Sequence, residues 1–173
     1  MTKRLSWLAL PLLVFALDAA SKAWVLRNFT EHQVLAVIPG WLNITLGYNS
    51  GAIFGSLQGA PPTFRTLLFT VAGIGALGYF GWEFLRGDTP LRQRAALGLI
   101  LGGILGNGVD RLRHGAVVDF LDVYVRDLNL GFTRVTEWHY WTFNLADSAI
   151  VCGAILLGYA LLRAHKVAPP VES

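Results

Sequence analysis

Ala95-Ala96-Leu97-Gly98-Leu99-Ile100-Leu101-Gly102-Gly103-Ile104-Leu105-Gly106-Asn107-Gly108-Val109-Asp110-Arg111-Leu112 is the stretch that decides the architecture. No charge occurs between Ala95 and Val109, and at about 1.5 Å per residue the whole stretch reaches roughly 27 Å, close to the roughly 30 Å of a bilayer's hydrocarbon core. Its polar side chains are confined to one end, where Asn107, Asp110 and Arg111 stand at i, i+3 and i+4 and so share a helix face. A membrane-crossing helix with a polar face at one end is the natural reading. Three other segments have the same character: Leu5–Leu26, Thr66–Leu85 and Phe143–Leu162.

The composition of the 173 residues agrees. Charged residues make up 14%, against about 25% in soluble domains, and apolar residues 54%. With a mean hydropathy of +0.49, this excludes both an ordinary soluble enzyme and a disordered chain. The length allows one domain, 1–173, with no large soluble part. A net charge of +3 is too small for a nucleic-acid footprint, so no nucleic-acid partner is expected. The single cysteine, Cys152, forbids an intrachain disulfide and a Cys-based zinc site; lying mid-span among apolar residues, it is expected in the core.

Four spans put both termini on one side. Lys3, Arg4, Arg86, Arg92, Arg94, Arg163 and Lys166 crowd the short segments there, whereas Arg27, Arg65, Arg113, Arg126 and Arg134 are spread over the long segments 27–65 and 113–142. The positive-inside rule makes the termini cytoplasmic. Trp24, Trp41, Trp138, Tyr140 and Trp141 then fall near the outer interface, and Trp7 and Trp82 near the inner one. In the first outer segment, His32–Ile38 and Trp41–Tyr48 flank Pro39-Gly40 and read as two strands joined by a turn. The second outer segment, charged and aromatic-rich, reads as an interfacial element. The expected fold is an all-α membrane protein of four transmembrane helices with a small extracytoplasmic β element.

Two patterns mislead. Lys3, Arg4, the apolar run Leu5–Leu17 and Ala19-Ala20-Ser21 imitate a cleaved signal peptide, but the segment is expected to remain as the first span. Gly73, Gly75 and Gly78 spell G-x-G-x-x-G with no strand before them, so close helix packing is expected there, as at Gly98, Gly102 and Gly106.

Ionisable groups at membrane depth are costly and need individual reasons. Asp18 and Lys22 lie one turn apart in the outer half of the first span, as an intrahelical ion pair or as part of a site. Asn144 and Asp147 begin the fourth span, with Asp147 also suited to a helix first turn. Asp119 interrupts the apolar run Ala116–Leu121. All converge on one outer level. Two carboxylates brought together there share a proton, the state in which one activates water and the other donates to a scissile carbonyl. Asp119 and Asp147 are the expected pair. Asp110 is the rival, set aside because Arg111 and Arg113 stand close in sequence and an ion-paired carboxylate donates protons poorly.

Other schemes fit less well. His32, His114, His139 and His165 are scattered without H-E-x-x-H, so no metal site is expected. Ser21 and Lys22 are about 100° apart on a helix, poor geometry for a Ser/Lys dyad.

The set Asp18-x-x-x-Lys22, Asn49-Ser50-Gly51-Ala52-Ile53-Phe54-Gly55, Gly106-Asn107-Gly108-Val109-Asp110-Arg111, Val117-Val118-Asp119-Phe120 and Phe143-Asn144-Leu145-Ala146-Asp147-Ser148 resembles the lipoprotein signal peptidases, bacterial signal peptidase II. The motifs run in order over most of the chain. The resemblance implies a single integral membrane peptidase domain of the bacterial inner membrane, with its active site near the outer, periplasmic leaflet. It implies an aspartic endopeptidase that removes the signal peptide from prolipoproteins, cutting before a diacylglyceryl-modified cysteine, with membrane lipid around it and no metal or organic cofactor. Asp119 and Asp147 then correspond to the catalytic aspartates, Asn49, Asn107, Asp110, Arg111 and Asn144 to residues around the site, and Asp18 and Lys22 to structural positions. Arg111 or an asparagine is a candidate for oxyanion stabilisation.

One departure is Val125–Glu137, which makes the Asp119-to-Asp147 connection longer than is common in that family. The sequence assigns it no role. A proton-coupled carrier and a non-catalytic scaffold are the alternatives; the first lacks a buried acid in the inner half, and only the second would survive loss of the aspartates.

Overall fold

A computed structural model describes residues 6–50, 60–86, 88–129 and 134–167. A short 3-10 turn, Ser6–Leu8, leads into α1 (Ala9–Asn28); β1 (Val34–Ile38), β2 (Leu42–Asn49), α2 (Pro62–Leu85), α3 (Leu91–His114), β3 (Val117–Asn129), β4 (Arg134–His139) and α4 (Leu145–Val167) follow. All four α-helices are long and apolar enough to cross a membrane. Each extends beyond the span read from sequence at one end or both, but α1 starts four residues later than expected, after the 3-10 turn, and α4 two residues later.

The helices pack around α3, which touches each of the other three. Small residues allow this. A Cβ on Gly102 would lie 2.6 Å from Val14 Cβ and 2.7 Å from Pro11 O of α1, and one on Gly153 would lie 2.7 Å from Ala96 O. In lipid, helices gain little from burying apolar surface, so such close backbone approach supplies the packing. The expectation fails at Gly75 and Gly78, where a Cβ would meet nothing within 4 Å, and holds only marginally at Gly73, with Ile104 at 4.0 Å. Leu67, Val71, Ile74 and Tyr79 of α2 and Val151, Ile155 and Leu162 of α4 are exposed, as lipid-facing residues are. Cys152 is exposed with them, not in the core: Gly153 takes the face toward α3, and its neighbour is turned about 100° away.

Helix ends follow local chemistry. Pro62 opens α2 at a position that needs no N–H donor. Gly115 closes α3 in the left-handed region at φ +70°, its N–H bonded to Arg111 O. Between α2 and α3, buried Arg94 donates to Phe84 O at 3.3 Å and Arg86 O at 2.7 Å, satisfying carbonyls that α2 leaves open, and covers the Trp7 ring at 3.4 Å. Trp7 is thus a partner of Arg94 rather than only a belt residue.

The β element is a four-stranded antiparallel sheet in the order β1-β2-β3-β4. The first two strands match the expected pair, trimmed at their starts; residues 30–33 form a turn in which Gln33 N–H bonds Thr30 O and His32 takes φ +67°. The second outer segment supplies the other two. Its stretch Val125–Glu137 is the outer part of a hairpin, with Val125 opposite Trp138 and Arg126 opposite Glu137; residues 130–133 lie outside the described residues. Val118 and Phe120 of β3 and Leu46 of β2 pack on Val25 and Phe29 at the end of α1. This small core seats the sheet on the helices. Phe143 exchanges backbone hydrogen bonds with Leu121, clamping the start of α4 to β3.

Candidate active site

That clamp sets the site. Asn144 caps α4: its Oδ1 accepts the Asp147 N–H at 2.9 Å, and Asp147 Oδ2 accepts the Asn144 N–H at 3.2 Å, a reciprocal capping box. The first-turn role foreseen for Asp147 is real, and the same geometry also aims it inward. Its Oδ1 accepts from Asn107 Nδ2 of α3 at 2.7 Å.

Asp119, in β3, is 1% exposed. Its Oδ1 accepts from Asn144 Nδ2 at 2.8 Å and its Oδ2 from Asn49 Nδ2 of β2 at 3.0 Å. Asn144, fully buried, therefore holds both aspartates, one through its amide nitrogen and the other through its oxygen and backbone. Burial, and then the nearby Asp147 charge, push the Asp119 carboxyl up to about 7, against the lowering effect of its two amide donors.

Behind the pair lies a second cluster. Lys22 Nζ, 3% exposed, reaches Asp18 Oδ2 at 2.7 Å, Asp110 Oδ2 at 2.8 Å and Asn107 Oδ1 at 3.0 Å. The Asp18–Lys22 pair is intrahelical, but it does more than pair: Asp18 Oδ1 accepts the Ala146 N–H at 2.9 Å and ties α1 to the first turn of α4. Asp110 Oδ2 also accepts the Val118 N–H at 3.1 Å, fixing the start of β3. Asp110 is ion-paired, as the sequence reading supposed, but to Lys22 rather than to Arg111 or Arg113. Intrahelical spacing pointed to the neighbours; tertiary packing chose the lysine.

Arg111 Nη1 donates to Asn107 O at 3.3 Å, and its guanidinium lies over the Phe69 ring at 5.3 Å. Together with Asn107 and Asp147, it lines a cavity of about 460 Å³ between α2 and α3, otherwise mostly apolar, with Phe69, Gly73, Leu77, Ile104 and Ile150 in its wall. Asp147, half-buried, is thus part of the wall of a largely apolar cavity. Ser21 turns its hydroxyl onto Asp18 O at 2.8 Å, away from any dyad with Lys22. Of the motif Asn49–Gly55, residues 51–55 lie outside the described residues. Among the described residues, no three His, Cys, Asp or Glu side chains form a group suited to a metal ion.

The sequence reading missed a polar cluster on the sheet. His139 bridges Asp122 and Glu137 at 2.8 Å each and stacks on Tyr124, while Asn43 donates to Asp122. Both carboxylates hold the exposed imidazole above its usual pKa, Asp122 more than Glu137. The available signal was the alternation of Asp122 and Tyr124 on one strand with Glu137 and His139 on another, invisible without their pairing.

Comparison with known proteins gives this arrangement a family. The sequence profile described as Signal peptidase (SPase) II matches residues 10–163. The lipoprotein signal peptidase of Xylella fastidiosa (strain 9a5c) is 42% identical over 169 residues, covering 95% of this chain and 93% of that protein. The lipoprotein signal peptidase of Syntrophus aciditrophicus (strain SB) is 39% identical, covering 89% and 90%. Two solved structures of a bacterial membrane enzyme, obtained by the in meso method at 2.3 and 1.9 Å resolution, superpose with TM-scores of 0.77 and 0.71 at 29% and 30% identity, covering 97% and 91% of this chain and 94% and 92% of theirs. The protein whose buried aspartates are gathered at one end of four apolar helices belongs to the signal peptidase II family, the lipoprotein signal peptidases.

Proposed function

We propose that this peptidase is of the aspartic type and that Asp119 and Asp147 are its dyad. It removes the signal peptide from diacylglyceryl-modified prolipoproteins by cleaving before the lipidated cysteine. The observation that carries this reading is the Asn144 bridge, which holds buried Asp119 and half-buried Asp147, from different elements, in one network beside a cavity between the helices. Asp119, near 7, is the member that carries the shared proton. Asp147 takes a proton from water as the oxygen adds to the scissile carbonyl carbon, and Asp119 gives its proton to the carbonyl oxygen. On collapse, Asp147 passes its proton to the leaving amine, and Asp119 recovers one from the hydroxyl, which becomes the new acid's carbonyl. The atoms and protons balance without a cofactor.

Asn49, Asn107 and Asn144 orient the pair, Arg111 faces the cavity as the candidate oxyanion donor, and Asp110 anchors β3. Asp18 and Lys22 support the first turn of α4. The cation distribution supports cytoplasmic termini for the single domain 1–173, which puts the dyad near the periplasmic leaflet of the bacterial inner membrane, where water and a lipid-borne substrate both reach it. Membership of a peptidase family leaves the carrier and scaffold alternatives without support.

The test is cleavage of a purified diacylglyceryl prolipoprotein in detergent by wild type, Asp119→Asn and Asp147→Asn, with thermal unfolding of each. Both variants are expected to fold and not to cleave. Cleavage near the wild-type rate by either removes that residue from the dyad and makes Asp110 the next candidate.

A further inference from the structure

Lys22 is ion-paired with Asp18 and Asp110, which suffices for a charge cluster, and it also donates a hydrogen bond to Asn107 Oδ1 at 3.0 Å. That hydrogen bond is directional. An ammonium group only donates, so Asn107 must turn its oxygen to Lys22, and its NH₂ is thereby committed to the opposite side, where it meets Asp147 Oδ1 at 2.7 Å.

The remaining hold on Asn107 Oδ1 is weak. Asn144 Nδ2 also points to it, at 3.2 Å, but shares two protons among three acceptors, with Asp119 Oδ1 at 2.8 Å and Val118 O at 3.3 Å. A flipped Asn107 amide would set oxygen against oxygen at Asp147. The Asn144 amide needs no such guard, because the Asp147 N–H, itself only a donor, fixes its orientation.

We propose that Lys22 is a positioning residue for the dyad: it acts through the Asn107 amide to keep a hydrogen-bond donor on Asp147, and so keeps Asp147 the proton-accepting member. This rests on the dyad assignment above.

Removing Lys22 alone strands two buried acids, so the variant chosen is Asp18→Asn/Lys22→Gln, which removes one acid with the base and leaves a residue at position 22 that can either donate or accept. Prolipoprotein cleavage by the full chain in detergent is measured at single turnover, together with kcat, KM and thermal unfolding. A roughly tenfold to hundredfold loss of kcat is expected, with KM within about twofold, as for a catalytic group set slightly out of place. In an Asn107→Ala background, the same pair of substitutions is expected to cost nothing further. A loss of folded protein, or of the Lys22 charge that is also felt at Asp119, would lower the rate equally in both backgrounds, and that result overturns the proposal.

Asp18→Asn/Lys22→Met is the second variant. It offers Asn107 no donor at all, so the relay predicts a rate loss at least as large as for Asp18→Asn/Lys22→Gln, again absent in the Asn107→Ala background, whereas a charge-only role predicts the same loss in both backgrounds. If neither variant folds, Lys22 serves stability alone and the proposal fails. Asp119→Asn and Asp147→Asn run alongside separate the two levels: full activity in those falsifies the dyad, whereas inactive aspartate variants with additive Lys22 effects reject only the relay.

Discussion

The Asn144 side chain donates to Asp119 Oδ1 at 2.8 Å while closed completely to solvent. One residue therefore caps a helix and joins two strands of argument, stability and chemistry, that are usually separable. Asn144→Ala removes the α4 cap and a donor to a buried carboxyl group. The expected cost is about 1–3 kcal/mol of stability, read by thermal unfolding, together with loss of prolipoprotein cleavage.

Asp119 makes stability depend on pH. Its carboxyl group rises from an ordinary 3.8 to about 7 on folding, so the folded state binds the proton more tightly than the unfolded state does. The stabilisation from that proton is present in full below the unfolded value and is lost as pH climbs through about 7. Wild type is expected to lose thermal stability over that window relative to Asp119→Asn, measured across a pH series in one detergent. Parallel curves would mean that the aspartate titrates normally.

The same group shapes the rate. If Asp119 must be protonated to donate, cleavage falls on the alkaline side of about pH 7. Asn49 donates to the Asp119 carboxylate and favours its charged form, so Asn49→Ala should move this alkaline limb to higher pH. A pH–rate profile of kcat/KM checks the direction; a shift downward would contradict the assignment.

Two glycines in the bundle should behave oppositely. A Cβ at Gly102 would collide with Val14 and the Pro11 carbonyl, and Gly102→Ala is expected to cost about 1–3 kcal/mol by forcing α1 and α3 apart. Gly75 has open space around it, and Gly75→Ala should stay within about 1 kcal/mol of wild type. Unfolding temperatures of the pair provide the comparison.

The spans were legible because the bilayer imposes one length and one polarity on any helix that crosses it, and that constraint shows in a run such as Ala95–Val109. The strands were legible unevenly. Val34–Ile38 and Leu42–Asn49 flank a Pro-Gly turn, whereas Val117, Val118, Asp119 and Phe120 are buried in succession, so β3 shows no alternation of apolar and polar residues. The candidate residues of the site could be named from spacing and resemblance, but not their partners. Lys22 meets Asp110, and Asp18 meets the Ala146 backbone, only because α1, α3 and α4 converge, and no local pattern encodes that meeting. Cys152 shows the complementary failure: within an apolar span, sequence does not tell the lipid face from the packed one.

The Asp18 hydrogen bond to Ala146 spans 128 positions, and it has a consequence for synthesis. The α2–α3 corner, where Arg94 satisfies the carbonyls of Phe84 and Arg86, joins near neighbours in sequence and can close once α3 is made. The proposed dyad cannot close until the last helix arrives, because Asn144 and Asp147 arrive with it. On that assignment, a chain that has made only its first three helices still lacks one carboxyl group and the bridge that holds the pair.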